Sequence, residues 1–246
     1  MTQAVGIAGA LALALVLGER FPPPGDLLLA VGAGICGLAG ITFLYRGLAV
    51  GRMGVVAPTT GVLAAVIPVV ASFVFQGAPP PPAIAGIALA LVAVVLVTRA
   101  PGFHADHPSG IKWALAAGTA IGGFNLCVGA FSGEAAFGPL VVIRLVQAVL
   151  MTFVIVAWRQ PWRMGGDVLR PLVLVGLLDM AGNAAFILAT QTGMLAIAAV
   201  LSSLYPVTTV ILAIVVLRER LTRSHIAGIA LTAAAIALIG AGSAGT

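Results

Sequence analysis

The chain has 246 residues, 61% of them hydrophobic and 8% charged, with a mean hydropathy of +1.18. Soluble domains carry about one-quarter charged residues, so this composition excludes a soluble globular protein and indicates a polytopic membrane protein. The net charge of +5 resides mostly in loops and at the ends of apolar runs, where the positive-inside rule accounts for it, and no stretch reads as a nucleic-acid patch.

Nine apolar runs follow in chain order: 3–18, 26–48, 53–75, 81–98, 111–131, 138–158, 169–190, 194–217 and 224–243. Each has about the length a helix needs to cross a hydrocarbon core of about 30 Å. The runs are continuously apolar and do not alternate, which argues against a transmembrane β-barrel. The fold class is therefore an all-α polytopic membrane bundle. The first run contains LALALVLG, similar to the apolar core of a signal peptide, but no Lys or Arg precedes it and it reads as a span. Cys36 and Cys127 lie inside the second and fifth spans and read as free thiols.

The hexapeptide IAGIAL occurs at 84–89 and again at 226–231. Shifting the chain against itself by that offset of 142 residues places Gly34 on Gly176, Gly40 on Gly182 and Gly51 on Gly193. The first four spans then fall on the sixth to ninth, and the fifth has no partner. The expected organisation is a first repeat at 1–98, a connecting loop at 99–110 and a second repeat at 111–246. It is expected to derive from a five-plus-five ancestor from which the first helix and the beginning of the second are absent here, through a late start codon, a deletion or evolutionary loss. An odd number of spans per repeat inserts the halves in opposite orientations. Charge agrees independently. The loops after the sixth and eighth spans hold Arg159, Arg163, Arg170 and Arg218, Arg220, Arg223, whereas their partners after the first and third hold Arg20 alone. Arg46, Arg52, Arg99 and Lys112 flank the second and fourth connections, so the C-terminus is expected outside.

Three stretches, LYRGLAVGRMGVVAP (44–58), LLDMAGNAAFILATQTG (177–193) and SLYPVTTVILAIVVLRERLTRSHIAGIAL (203–231), resemble the EamA-type members of the drug/metabolite transporter superfamily. That resemblance implies a ten-helix inner-membrane carrier of two five-helix repeats, exporting amino acids, other small metabolites or toxic compounds. The family usually ends the fourth helix of each repeat with Gly-Glu-Arg. Here the second copy reads Arg218-Glu219-Arg220, and the first reads Gln76-Gly77-Ala78 followed by four prolines.

Ionisable groups at membrane depth are costly, about 2.5 to 3.5 kcal/mol for Asp or Arg at a helix centre, so each requires a role. Asp179 lies nine residues beyond Arg170, about 14 Å along the helix, near the midplane. Arg144 enters the sixth span from the opposite side, about 9 Å beyond Gly138, and its long guanidinium can span the remaining depth to Asp179 if the sixth and seventh spans face each other. Asp179 is read as a proton-coupling or amine-binding carboxylate and Arg144 as its partner or as a clamp for a substrate carboxylate; a static interhelical ion pair is the alternative. Asn183, four residues on, shares the face of Asp179. Asn125, Thr119, Gln147 and Gln191 add to that wall or form interhelical hydrogen bonds. Pro58 and Pro68 in the third span and Pro206 in the eighth remove helix hydrogen bonds beside Thr59, Thr60, Ser72, Ser202, Ser203 and Tyr205. Interrupted helices at comparable places in two repeats point to a central site. Gly32, Gly34, Gly37, Gly40, Gly118 and Gly122 read as close-packing positions.

The three histidines, His104, His107 and His225, lie in loops or at span ends, HADH lacks further metal ligands, and no Gly-rich phosphate loop is present. No cofactor and no metal are expected. The expected function is secondary transport of a small-molecule solute across the cell (inner) membrane by alternating access, with a proton as a candidate coupling ion. The rival readings are a truncated carrier that is inactive or works with a partner chain, and an intramembrane enzyme, which a single mid-membrane carboxylate without a nearby His disfavours.

Overall fold

The computed structural model describes residues 2–20, 22–51, 53–98, 110–133, 135–157, 169–202, 204 and 223–243. These residues form nine helices and no strand: α1 (Thr2–Val16), α2 (Pro24–Val50), α3 (Met53–Phe75), α4 (Pro81–Thr98), α5 (Ile111–Gly129), α6 (Phe137–Ala157), α7 (Leu169–Thr192), α8 (Leu195–Ser202) and α9 (Arg223–Ser243). Four of them, over Pro24–Val50, Ile111–Gly129, Phe137–Ala157 and Pro171–Thr192, are long and apolar enough to cross a membrane, and the remainder include shorter apolar helices. Large apolar side chains stay exposed on them, such as Leu178 on α7 and Val149 on α6, as the hydrocarbon of a bilayer requires. The fold is an all-α membrane fold.

The boundaries follow local chemistry. Pro24 and Pro81 each open a helix, where a missing N–H is harmless and φ is already suitable. Gly18 closes α1 in the left-handed region at φ 65°, and the Glu19 N–H reaches back to the Ala14 carbonyl at 2.9 Å. Pro58 and Pro68 lie inside α3, which runs through both without a break, and Pro68 is fully buried there. The eighth expected span is described as helix to Ser202; residues 205–217, with Tyr205 and Pro206, lie outside the described residues, as do His104 and His107.

Helix boundaries repeat at the spacing of the hexapeptides. Met53 and Leu195 open α3 and α8, Pro81 and Arg223 open α4 and α9, and Val50 and Thr192 close α2 and α7, each pair 142 residues apart. Within IAGIAL the burial pattern also repeats: Gly86 and Gly228 are buried, while Ile84, Ala85, Ala88 and their counterparts Ile226, Ala227, Ala230 are exposed.

The chain forms two compact units, 1–38 with 127–192, and 39–126 with 193–246. In the first, α1 packs against α6 and α7. Glycines set those approaches: a Cβ on Gly34 of α2 would stand 2.8 Å from Val146 and 3.1 Å from the Ile143 carbonyl of α6, and one on Gly176 of α7 would stand 2.9 Å from the Thr2 carbonyl of α1. In the second unit, α4 packs along α9, and α3 along α8 and α4. Its core includes Ala65, Ile87, Val94, Val200 and Ala235. Gly118 and Gly122 of α5 bring that helix onto Leu63 and Ile67 of α3. At these approaches glycine and alanine bring helix backbones close, and large apolar side chains on other faces remain exposed.

Gly34→Ala is expected to force α2 and α6 apart, since one obstructing atom is backbone, at a cost of about 1 to 3 kcal/mol. Gly182→Ala, with nothing within 4 Å of the new methyl, is expected to be neutral or to stabilise by up to about 1 kcal/mol. Thermal unfolding in detergent checks this: the Gly34 variant should melt below the parent and the Gly182 variant should not.

Candidate functional site

The buried stripe of α6 comprises Pro139, Leu140, Ile143, Arg144 and Gln147, spaced so that all five share one face of the helix. Arg144 thus points inward, and its side chain is only 4% exposed. Exposed Leu145, Val149 and Phe153 take the opposite side. A guanidinium so placed needs partners, and its Nη1 finds two. It forms an ion pair with Oδ2 of Asp179 on α7 and donates to Oε1 of Gln3 on α1 at 3.0 Å. Asp179 lies near the middle of α7 and its side chain is 46% exposed. Asn183, one turn on, donates through Nδ2 to the Asp179 carbonyl at 2.8 Å and to Oδ1 at 3.3 Å.

Gly6, one turn beyond Gln3 on α1, lies against the same guanidinium: a Cβ there would be 3.4 Å from Arg144 Nε. Nε and Nη2 themselves are buried and have no hydrogen-bond partner among the described residues. The unit accordingly holds a cation whose charge is compensated at one nitrogen while two others, with three N–H bonds, have no partner among the described residues. An unsatisfied buried donor costs about 1 to 3 kcal/mol, so this arrangement is stored at some expense of stability.

The other candidates separate. Gln147 is buried on α6, one turn from Arg144. Asn125 belongs to the second unit, where it is buried and donates to the Ala64 carbonyl of α3 at 3.1 Å. Thr60 is buried and donates to the Ala114 carbonyl of α5 at 3.3 Å, while Thr59 is half-buried. Ser72 donates to Gln76 Oε1 at 2.8 Å, and Gln191 donates to the Ala135 carbonyl at 2.9 Å. Ser202 and Thr119 are exposed. Tyr205, Ser203 and Pro206 lie outside the described residues, and Arg218, Glu219 and Arg220 do too. The structure thus brings Arg144, Asp179 and Asn183 together, and gives Asn125 to a separate interhelical contact.

Residues 108–241, which hold α5 to α9 almost entirely, match the model of the EamA-like transporter family. The chain belongs to that family. It is a membrane transporter of the drug/metabolite type, multi-pass, with a small-molecule solute and lipid as its surroundings. A solved structure described only as "Crystal structure of protein" superposes with a TM-score of 0.80 at 19% identity, covering 97% of this chain and 86% of that one; it shows the same fold. No curated protein matches the chain.

Four polar residues of this EamA-family chain carry contacts that sequence reasoning did not assign. Gln3 is the only amide of α1 and supplies the second acceptor for Arg144. Glu19 accepts N–H groups of Ala136, Phe137 and Gly138 at 2.9 to 3.2 Å, satisfying the orphan donors at the start of α6. Buried Asp26 accepts the Ser132 N–H at 3.1 Å and its hydroxyl at 2.7 Å. Gln76 Oε1 accepts the Leu195 N–H at the start of α8 at 3.1 Å. An acid beside the end of an apolar span is the available signal for Glu19 and Asp26, but it does not say which backbone groups each one meets.

Glu19→Ala removes the carboxylate from the α6 N-terminus and is expected to cost about 0.5 to 2 kcal/mol, as loss of a helix cap does. The thermal midpoint in detergent should fall, and Glu19→Gln, which keeps an acceptor, should recover part of the loss. An unchanged midpoint for Glu19→Ala would contradict the capping role.

Proposed function

We propose that the chain is a secondary carrier that exports a small solute, drawn from amino acids, other small metabolites or drugs, across the cell (inner) membrane by alternating access. The observation that carries this reading is the Arg144–Asp179 pair: a guanidinium buried at depth in α6 against a carboxylate, near the middle of α7, that is half exposed. Burying both charges of a purely structural pair costs desolvation, and replacing the pair by apolar groups is often neutral or stabilising. Leaving Asp179 accessible keeps it available to a proton or to a ligand ammonium.

The reading includes two inverted repeats, 1–98 and 111–246, and the recurrence of helix boundaries at 142 residues supports it. Repeat partners also pack against one another, α1 on α6, α3 on α8 and α4 on α9, as helices near a pseudo-two-fold axis would. In the proposed cycle Asp179 exchanges a proton or an ammonium for its hold on Arg144, and the two states of the pair bias the two orientations of the carrier. The Arg-rich connections face the cytoplasm and the C-terminus faces outward.

Proteoliposomes assayed against amino acids, short organic acids and amphipathic amines test the proposal. Flux should appear with the reconstituted protein and not with empty vesicles. Asp179→Asn should abolish it, or leave it without pH dependence, while the protein remains folded by its elution profile. Unchanged pH-dependent flux in that variant removes Asp179 from the mechanism.

A further inference from the structure

We propose that Glu19 and Asp26 form a proton-released latch at the outer end of the first unit: ionised, they hold the connection between α5 and α6 closed, and protonated, they free it. Helix α6 has no cap of its own. Ala136 stands at the cap position without a side-chain acceptor and Pro139 brings no N–H, so the donors at the helix start are those of Ala136, Phe137 and Gly138. All three go to Glu19, in the turn after α1. Its Oε1 accepts from Ala136 at 3.1 Å and Phe137 at 3.2 Å, and its Oε2 accepts from Phe137 and Gly138 at 2.9 Å each. These contacts occupy the roughly four lone-pair sites of a carboxylate. Asp26, buried at the start of α2, takes the same connection at Ser132: its two oxygens accept the N–H at 3.1 and 3.2 Å, and Oδ2 accepts the hydroxyl at 2.7 Å.

Charge alone holds this latch. Neither acid has a basic partner among the described residues. Arg20, next to Glu19, is exposed and makes no ion pair with it; α6 carries no ionisable side chain before Arg144, the last turns of α7 carry none, and Cys127 is the titratable group at the end of α5. Glu134 belongs to the connection and lies outside the described residues. The two carboxylates are therefore balanced by peptide N–H groups, the Ser132 hydroxyl and the positive end of α6. A proton on either oxygen of Glu19 sets an O–H where an N–H already points, and two facing donors satisfy neither. Oδ2 of Asp26 meets the same conflict. A further tie does not titrate: Gln191, at the end of α7, donates to the Ala135 carbonyl at 2.9 Å and keeps the connection anchored when the acids let go. Gly18 and Gly133 bracket the contact at φ 65° and 83°, and a Cβ would meet nothing within 4 Å at the first and only Gln191, at 3.9 Å, at the second. Both bends thus have room to open. Release would loosen the first turn of α6, about 9 Å along the helix from Arg144.

Hydrogen exchange of the full chain in nanodiscs tests the latch, from neutral pH down through the ordinary range of carboxyl titration, with the intrinsic pH dependence of exchange divided out. Protection of the Ser132, Phe137 and Gly138 amides should fall by about tenfold, the scale of a lost cap, while amides 145–155 of α6 keep theirs. Glu19→Gln and Asp26→Asn each keep an acceptor oxygen and cannot take up the proton. Combined, they should flatten the profile; singly, the first should flatten it at Phe137 and Gly138 and the second at Ser132. The wild-type profile needs no variant and stands if the double variant fails to fold. The latch is refuted if protection does not depend on pH, if the loss persists in the folded double variant, or if the middle of α6 opens together with the connection. The carrier reading enters only in assigning this end to the outer solution. A chain that moves no solute can still show the latch, and a carrier with a flat profile stands without it.

Discussion

A guanidinium cannot be desolvated among apolar helices without partners, and that requirement organises the first unit around Arg144. Its Nη1 draws Asp179 from α7 and Gln3 from α1 to one point, so three helices are registered by one nitrogen. Small residues make the meeting possible: Gly6 accommodates the guanidinium, Gly34 lets α2 lie on α6, and Gly176 lets α7 lie on α1. In lipid, where apolar surface offers little drive for helices to associate, close packing through glycine and a few polar contacts is what remains to fix their arrangement. The cost is concentrated at the same place. Nε and Nη2 have no partner among the described residues, and a buried group left so calls for an explanation.

Much of this was legible in the sequence because the background is so apolar. With 8% charged residues, Asp179 and Arg144 stand out without any motif, and helix pitch alone places Asn183 beside Asp179. Continuous apolar runs gave helix limits that match the observed ones to within about three residues wherever the residues are described, because Pro and Gly punctuate the chain at the same places where helices begin and end. What could not be read is which side chain meets which backbone group. Asn125 satisfies a carbonyl of α3, and a carbonyl has no signature in sequence. Glu19 in a turn and Asp26 at the start of a span look like ordinary interfacial acids, and their targets, the first turn of α6 and Ser132, lie more than a hundred residues away. Gln3, an amide at the beginning of a span, carries no mark in the sequence that distinguishes it from an interfacial group, and the buried cation beside it is what gives it a role.

The two compact units cut across the sequence halves. The first joins α1 and part of α2 to α6 and α7, and the second joins α3 and α4 to α8 and α9. An internal duplication accounts for this pattern economically, because each unit then contains matched elements from both copies. The matched burial of Gly86 and Gly228 is its most local trace, and both occur where α4 and α9 pack. Polar side chains close the turns within each unit: Glu19 and Asp26 in the first, Gln76 in the second. The helix boundaries that recur at 142 residues give each unit similar helix pairs, and the charges of the first unit make one of them chemically distinctive.

Whether the Arg144–Asp179 pair performs transport or merely holds helices together is the central question, and charge neutralisation on both sides at once answers it. Arg144→Gln and Asp179→Asn are compared singly and combined, with thermal stability and proteoliposome flux measured on the same preparations. Each single variant leaves one charge uncompensated, whereas the double variant leaves none. The account predicts that the double variant regains stability toward the parent while flux remains absent. Recovery of flux together with stability would show the pair to be a structural tie and would contradict the account.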